Sequence, residues 1–66
     1  MSTKFFIHNS ISYTGEEIAA SIENMKELPG VYTSTYSDGT VIADPRPNIE
    51  DWTRNKEDYR VEELSF

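Results

Sequence analysis

The sequence predicts an α+β domain: a small antiparallel sheet of three to four strands with one helix on one face, in the order β-α-β-β-(short α)-β. Three local patterns support this class. Apolar residues alternate over residues 4–13, a capping box begins at Thr14, and Asp38-Gly39 separates two strand-like segments. A chain of 66 residues without cysteine is expected to form a single domain, residues 1–66, with a modest core and no disulfide.

The first strand is predicted within residues 4–13. Apolar side chains fall there on odd positions, which is the period of a half-buried strand, or of two short strands that meet at Asn9-Ser10. These side chains are Phe5, Ile7, Ile11 and Tyr13. Phe6 points to the opposite face, where it is either covered or available to a partner.

A helix is predicted over residues 15–28. Thr14 can cap the first backbone N–H groups, and Glu17, three residues later, can bond back to the Thr14 amide. Apolar residues then recur at spacings of four, three and three along one stripe: Ile18, Ile22, Met25 and Leu28. Pro29-Gly30 is expected to end the helix, because proline lacks the N–H donor and glycine adopts a left-handed turn.

A β-hairpin is predicted from residues 31–37 and 40–43, joined at Asp38-Gly39. A two-residue type I′ turn would pair Tyr36 with Val41. In that register one face would hold Tyr32, Tyr36, Val41 and Ala43. The pattern leaves open which face meets the helix, but the tyrosine face has the larger apolar area and is the one expected in the core, together with Phe5, Tyr13 and Phe66.

The last third of the chain is more polar. The prolines within 45–47 are expected to end the hairpin, since proline cannot donate to a neighbouring strand. Residues 45–58 are predicted as a polar loop or short helix that begins at Asn48. Residues 59–66 are predicted as a final strand whose end, 64–66, frays; the alternative is a disordered tail.

The charge balance restricts the classes of partner. Six Lys and Arg against twelve Asp and Glu give a net charge of −6, of which residues 1–47 and 48–66 each carry −3. Direct binding to nucleic acid is not expected, because phosphate contacts need clustered Lys and Arg. The acidity serves either solubility or attraction to a basic partner surface, with mimicry of a nucleic acid as the extreme form.

No catalytic pattern assembles in the sequence. His8 is the single histidine, and its neighbours Ser10 and Ser12 share its strand face without a third orienting group. The sequence lacks a metal-binding spacing and a glycine-rich phosphate loop. We therefore predict no catalytic residue, no cofactor and no metal ligand, and we expect a protein that is not an enzyme.

The function expected from these features is binding: a small acidic protein that binds and blocks or modulates another macromolecule. In size and charge it resembles the small inhibitory proteins that phages and mobile elements direct against host enzymes or defence complexes, and no motif assigns a family. The partner would be a nucleic-acid-handling or defence protein with a basic surface. The alternative is a homo-oligomeric accessory or structural protein, a homodimer for example, whose acidity serves only solubility.

The predicted partner-binding residues combine aromatic anchors with charged neighbours. Trp52 is the leading anchor, with core packing as the alternative role for its ring. The full set is Trp52, Arg54, Glu57, Asp58, Tyr59, Glu62, Glu63, Tyr32 and Phe6. The sequence has no apolar run long enough for a signal peptide or a membrane span, which predicts a cytoplasmic protein without membrane contact.

Overall fold

A computed structural model describes residues 2–47 and 52–65 of the chain. Its elements are β1 (Ser2–His8), α1 (Gly15–Glu23), β2 (Tyr32–Thr35), β3 (Val41–Asp44), a 3-10 segment (Trp52–Asp58) and β4 (Tyr59–Ser65). The predicted α+β class and order of elements are confirmed. The predictions for Asn48 and Phe66 lie outside the described residues.

The sheet is mixed rather than fully antiparallel. Its strand order is β2-β3-β1-β4. The β2–β3 and β1–β4 pairs are antiparallel, whereas β1 and β3 are parallel, with Phe5 opposite Val41 and Ile7 opposite Ala43. A parallel neighbour needs a long connection that crosses over the sheet, and the chain from His8 through α1 and β2 provides it.

The main core lies between α1 and one face of the sheet. The alternation predicted for the first strand is confirmed at Phe5 and Ile7, which are 2% and 0% exposed. The predicted extent over residues 4–13 is wrong, because the strand ends at His8 and residues 9–13 form a turn and loop. Phe5 and Ile7 pack with the buried residues Ile11, Ile18, Val41 and Ala43. Even-numbered residues of β1, such as Phe6, therefore lie on the opposite face of the sheet.

The hairpin exists, but its predicted register is wrong by one residue. Thr35 pairs with Val41 and Ser34 with Ile42. Gly39 alone among the loop residues 37–39 has a positive φ, 88°, so the loop is a three-residue turn with one left-handed position instead of a type I′ turn with two. Asp38 Oδ1 accepts the Thr40 N–H at 3.0 Å and stabilises this turn.

The shifted register places the tyrosines on the other face. Val41 and Ala43 enter the core beneath α1, whereas Tyr32 and Tyr36 lie on the opposite face and are 50% and 37% exposed. The expected tyrosine core is therefore wrong, because a shift of one residue moves every side chain of a strand to the other face. Tyr13 is half-buried beside the core.

Helix α1 begins as predicted but ends five residues early. The capping box between Thr14 and Glu17 is present, with Glu17 N–H donating to Thr14 Oγ1 at 3.2 Å. At the other end Met25 has a φ of 55°. Lys26 N–H donates to Ser21 O at 2.9 Å and Met25 N–H to Ile22 O at 3.2 Å. This pair of bonds is a Schellman motif, which terminates the helix before Pro29-Gly30.

Replacing Met25 with glycine is expected to stabilise the protein. The side chain is 93% exposed and contributes little packing, while its left-handed backbone costs about 1 kcal/mol for a residue with a Cβ. Urea unfolding, followed by the fluorescence of the single tryptophan, should give a free energy of unfolding higher by about 0.5–1 kcal/mol.

Lys26→Gly is the matched control for this experiment, since Lys26 follows in the same exposed turn without a positive φ. It should leave the free energy of unfolding unchanged or lower it. Equal effects of the two glycines would contradict the assignment of strain to Met25.

Candidate functional site

An aromatic cluster covers the face of the sheet opposite α1. Trp52, from the first turn of the 3-10 segment, packs on Phe6 of β1 with ring centroids 4.5 Å apart. Tyr59 of β4 and Tyr36 lie 6.2 and 6.5 Å from the same indole. These spacings are typical of interacting aromatic pairs, so a second, smaller apolar layer forms on this face.

Three predicted contact residues thus meet in one place. Phe6 and Trp52 are half-buried, and Tyr59 is 7% exposed. A cation lies over the indole as well, because Lys56 Nζ is 5.1 Å from the ring centroid. Trp52 therefore packs inside the fold and still offers part of its ring at the surface.

A buried carboxylate lies beside this cluster. Asp44, at the end of β3, is fully buried. Arg46 binds both of its oxygens: Nε and the backbone N–H donate to Oδ1 at 2.9 and 2.8 Å, and Nη2 donates to Oδ2 at 2.6 Å. Arg46 Nη2 also donates to the Tyr59 hydroxyl at 2.8 Å. The network fixes the Pro-Arg-Pro segment against β4.

The environment of Asp44 lowers its pKa. Burial alone would raise the pKa, but the hydrogen bonds from the Arg46 side chain and backbone, with the guanidinium charge, hold it below the ordinary value of 3.8. The same pairing raises the pKa of Arg46. Asp44 is therefore a permanently ionised structural group near neutral pH.

Sequence reasoning missed this network. Asp44 ends the apolar run of β3, and Arg46 follows two residues later. An acid at the end of a buried strand with a base so close in sequence is a signal that the two side chains form an ion pair. The third member, Tyr59, is 15 positions away from Asp44 in the sequence. Its contribution depends on the order of the strands, which no local pattern gives.

His8 and Ser10 form a local turn. Ser10 Oγ lies 2.7 Å from His8 Nδ1, and the Ser10 backbone N–H donates to the same nitrogen at 3.1 Å. Ile11 N–H closes the turn on His8 O at 2.9 Å. This pattern ends β1 and directs the chain toward α1, and it accounts for the short distance between the histidine and the serine.

Glu62 is a structural acid. Its Oε1 accepts the Gly15 N–H at 2.7 Å, at the beginning of α1, where the helix dipole favours a negative charge. Its Oε2 accepts Arg60 Nε at 3.2 Å, and Arg60 Nη2 donates to Tyr13 O at 2.6 Å. A Cβ on Gly15 would lie 3.2 Å from Glu62 Oε1, so glycine permits this close approach of α1 to β4.

The other charged candidates lie at the surface. Glu57, Asp58, Arg54 and Glu63 are exposed, as is Tyr32 on β2. Glu63 Oε1 accepts the Ser2 hydroxyl at 2.6 Å. The backbone carbonyl of Asp58 accepts the Asn9 N–H at 2.8 Å, which holds the 3-10 segment against the end of β1. Their predicted role in partner binding stays a prediction.

Residues 2–47 and 52–65 contain neither a candidate metal cluster nor a candidate membrane-spanning helix. Within these ranges no group of three His, Asp or Glu side chains is arranged to hold a metal ion. Nor does any helix in these ranges have the length and apolar character that crossing a bilayer requires.

Comparison with protein-family models, curated proteins and solved structures finds no match to this chain.

Replacing Asp44 with asparagine is expected to destabilise the protein by about 1.5–3 kcal/mol at neutral pH, because charge-assisted hydrogen bonds are lost from a buried group. Asp58→Asn, an exposed neighbour of the same charge, should change the free energy of unfolding by less than about 0.5 kcal/mol. Chemical denaturation of both variants measures the difference.

The pH dependence of this effect has a defined sign. Since the pKa of Asp44 is lowered by folding, its contribution is complete above the ordinary value of 3.8 and is lost as the pH falls through the folded-state pKa. On acidification from neutral pH to below that pKa, the free energy of unfolding should therefore fall less for the Asp44→Asn variant than for the wild type. The pKa of Asp38 is also lowered, by hydrogen bonds from Thr40. Both the wild type and the variant should therefore keep the part of the acid sensitivity that Asp38 contributes. Parallel acid profiles would contradict the assignment.

Glu62 and Glu63 provide a matched pair on the same strand. Glu62→Gln should lower the free energy of unfolding by about 1 kcal/mol, because the charge at the start of α1 and the pair with Arg60 are lost. Glu63→Gln should change it by less than about 0.5 kcal/mol. Thermal and urea unfolding test this, and an equal effect of the two changes would refute a specific role for Glu62.

Proposed function

We propose that this protein is a non-enzymatic binding protein that attaches to a macromolecule with a basic surface and blocks or modulates it. The observation that carries the proposal is the location of its charge. Two described ion pairs, Asp44–Arg46 and Glu62–Arg60, each cancel one acid with one base. The net charge of −6 therefore belongs to the other side chains, and among the described acids Glu57, Asp58 and Glu63 are exposed.

The region around Trp52 supports a specific contact mode. The half-buried indole is held by Phe6 and already has Lys56 over its ring. An arginine side chain of a partner could displace Lys56 and stack on the ring in its place, and the exposed carboxylates of Glu57 and Asp58 follow on the same segment. An aromatic anchor next to acids is the complement of an arginine-rich surface, such as that of a nucleic-acid-handling or defence protein.

The second candidate function is a homo-oligomeric accessory protein whose acidity keeps it in solution. One observation favours it: residues 28–37, which include the edge strand β2, contain no charged side chain. The two candidate functions differ in their response to salt. Added salt weakens binding to a basic partner, because it screens the attraction, and strengthens association of two acidic copies, because it screens their repulsion.

Affinity capture from the lysate of the native host, at about 0.05 M and about 0.5 M salt, tests the first function. The bait is the wild-type chain, and two variants each remove two negative charges. Glu57→Gln/Asp58→Asn changes the proposed contact region, and Glu23→Gln/Glu27→Gln changes the exposed end of α1 and the loop after it. The partner, once purified, is used for binding measurements under the same conditions.

A partner with a basic surface should be captured at low salt, be lost at high salt, and bind the Glu57→Gln/Asp58→Asn variant less tightly than the control variant. Retention that is independent of salt would refute electrostatic attachment. Equal weakening by both variants would place the contact outside the Trp52 region.

A further inference from the structure

Strand β2 is an edge strand with one open side. Within residues 2–47 and 52–65 it pairs with β3 alone, in the strand order β2-β3-β1-β4. Tyr36 N–H donates to Thr40 O at 2.9 Å, and in an antiparallel pair the bonded positions alternate along the strand. Thr33 and Thr35 therefore direct their backbone N–H and C=O groups away from β3, toward the open side.

The two edges of the sheet differ in charge. Strand β4 carries Arg60, Glu62 and Glu63, and charged side chains are a common protection of edge strands against pairing with another chain. Strand β2 itself carries no such side chain, since residues 28–37 are uncharged. Two chains of net charge −6 could therefore meet at β2 without placing like charges opposite each other.

The sequence of this edge is self-complementary. Residues 32–36 read Tyr-Thr-Ser-Thr-Tyr in both directions, with Ser34 at the centre. An antiparallel pair of two such strands about a two-fold axis places Thr33 opposite Thr35 of the other copy, where their outward N–H and C=O groups form four hydrogen bonds. It also places Tyr32 opposite Tyr36, and Thr–Thr and aromatic pairs across strands are stabilising.

A groove of about 540 Å³ runs along the same edge, between β2 and the end of α1. Its apolar lining includes Ile22, Met25, Leu28 and Val31, of which Ile22 and Met25 are 43% and 93% exposed. In the pairing centred on Ser34, the chain that follows β2 in the second copy runs past Tyr32 toward this groove and would cover part of it.

We propose that β2 is the site of self-association: two copies pair antiparallel through residues 32–36, with Ser34 on the two-fold axis, to form one continuous eight-stranded sheet. The occupant of this edge is a second copy of the chain. The inference rests on the second candidate function, self-association, and its tests are independent of the proposed attachment to a basic partner.

Cysteine crosslinking tests the register directly, because the chain contains no cysteine of its own. Ser34 would face its counterpart as a non-hydrogen-bonded pair with Cα atoms about 4.5 Å apart, within the range of about 4.4–6.8 Å for disulfides. Ser34→Cys should form a covalent dimer under mild oxidation. Ser37→Cys, whose counterpart would be about 20 Å away, is the control and should crosslink much more slowly.

A charge exchange tests the same pairing without a covalent bond. Thr33→Glu/Thr35→Glu and Thr33→Lys/Thr35→Lys should each weaken self-association at least about tenfold, because like charges face each other across the axis. An equimolar mixture of the two should form heterodimers. Ser12→Glu/Ser65→Glu, which adds the same negative charge at other exposed sites, should retain the wild-type dimer, and circular dichroism confirms that each variant is folded.

Sedimentation velocity over a range of protein and salt concentrations measures the dimerisation of the wild-type chain, with which the variants are compared. The wild-type dimer should become tighter as salt is added, since the two copies carry the same charge. A wild-type chain that is monomeric up to about 1 mM, crosslinking of Ser37→Cys as fast as Ser34→Cys, or a mixture that forms no heterodimer would overturn the proposal.

Discussion

The position of β1 between β3 and β4 is the constraint on which the rest of the structure depends. A central strand is covered on both faces, and β1 meets this requirement with Phe5 and Ile7 beneath α1 and Phe6 against Trp52. Its parallel pairing with β3 obliges the chain to cross over the sheet, and α1 lies on that connection. Its antiparallel pairing with β4 places Glu62 at the start of the helix.

Features that depend on near neighbours could be predicted from the sequence. The start of α1 follows from Thr14 and Glu17, which are three residues apart, and the alternation within β1 needs only the local period. The end of α1 could not be predicted, because Met25 adopts a left-handed backbone that sequence patterns assign to glycine. The predicted register of the hairpin was wrong for a related reason, because Asp38-Gly39 fits two turn types. The observed turn has one left-handed residue instead of two, and this difference shifts every cross-strand pair between β2 and β3 by one residue.

The candidate site likewise has features that local sequence predicts and features that only the whole fold determines. Phe6, Trp52 and Tyr59 could be selected for their aromatic side chains and do come together, although no local pattern places them next to one another. No local pattern distinguishes the structural acids from the exposed ones. Neighbouring residues on a strand point to opposite faces, so Glu62 reaches the start of α1 while Glu63 stays exposed. Which member of such a pair is structural depends on the strand order, a property of the whole chain.

The proposed pairing strand and the acidic residues Glu57 and Asp58 lie at different parts of the sheet, so the two proposed functions are compatible. Strands β2 and β4 form its opposite edges, and Glu57 and Asp58 immediately precede β4. Pairing through residues 32–36 does not involve Glu57 or Asp58, and Tyr36 would belong both to the paired strand and to the cluster around Trp52. A dimer would then present two equivalent acidic sites, and a partner with repeated basic surfaces would be bound with the added strength of two linked contacts. Dimerisation and partner binding would reinforce each other through this geometry, without any change in the structure of the chain.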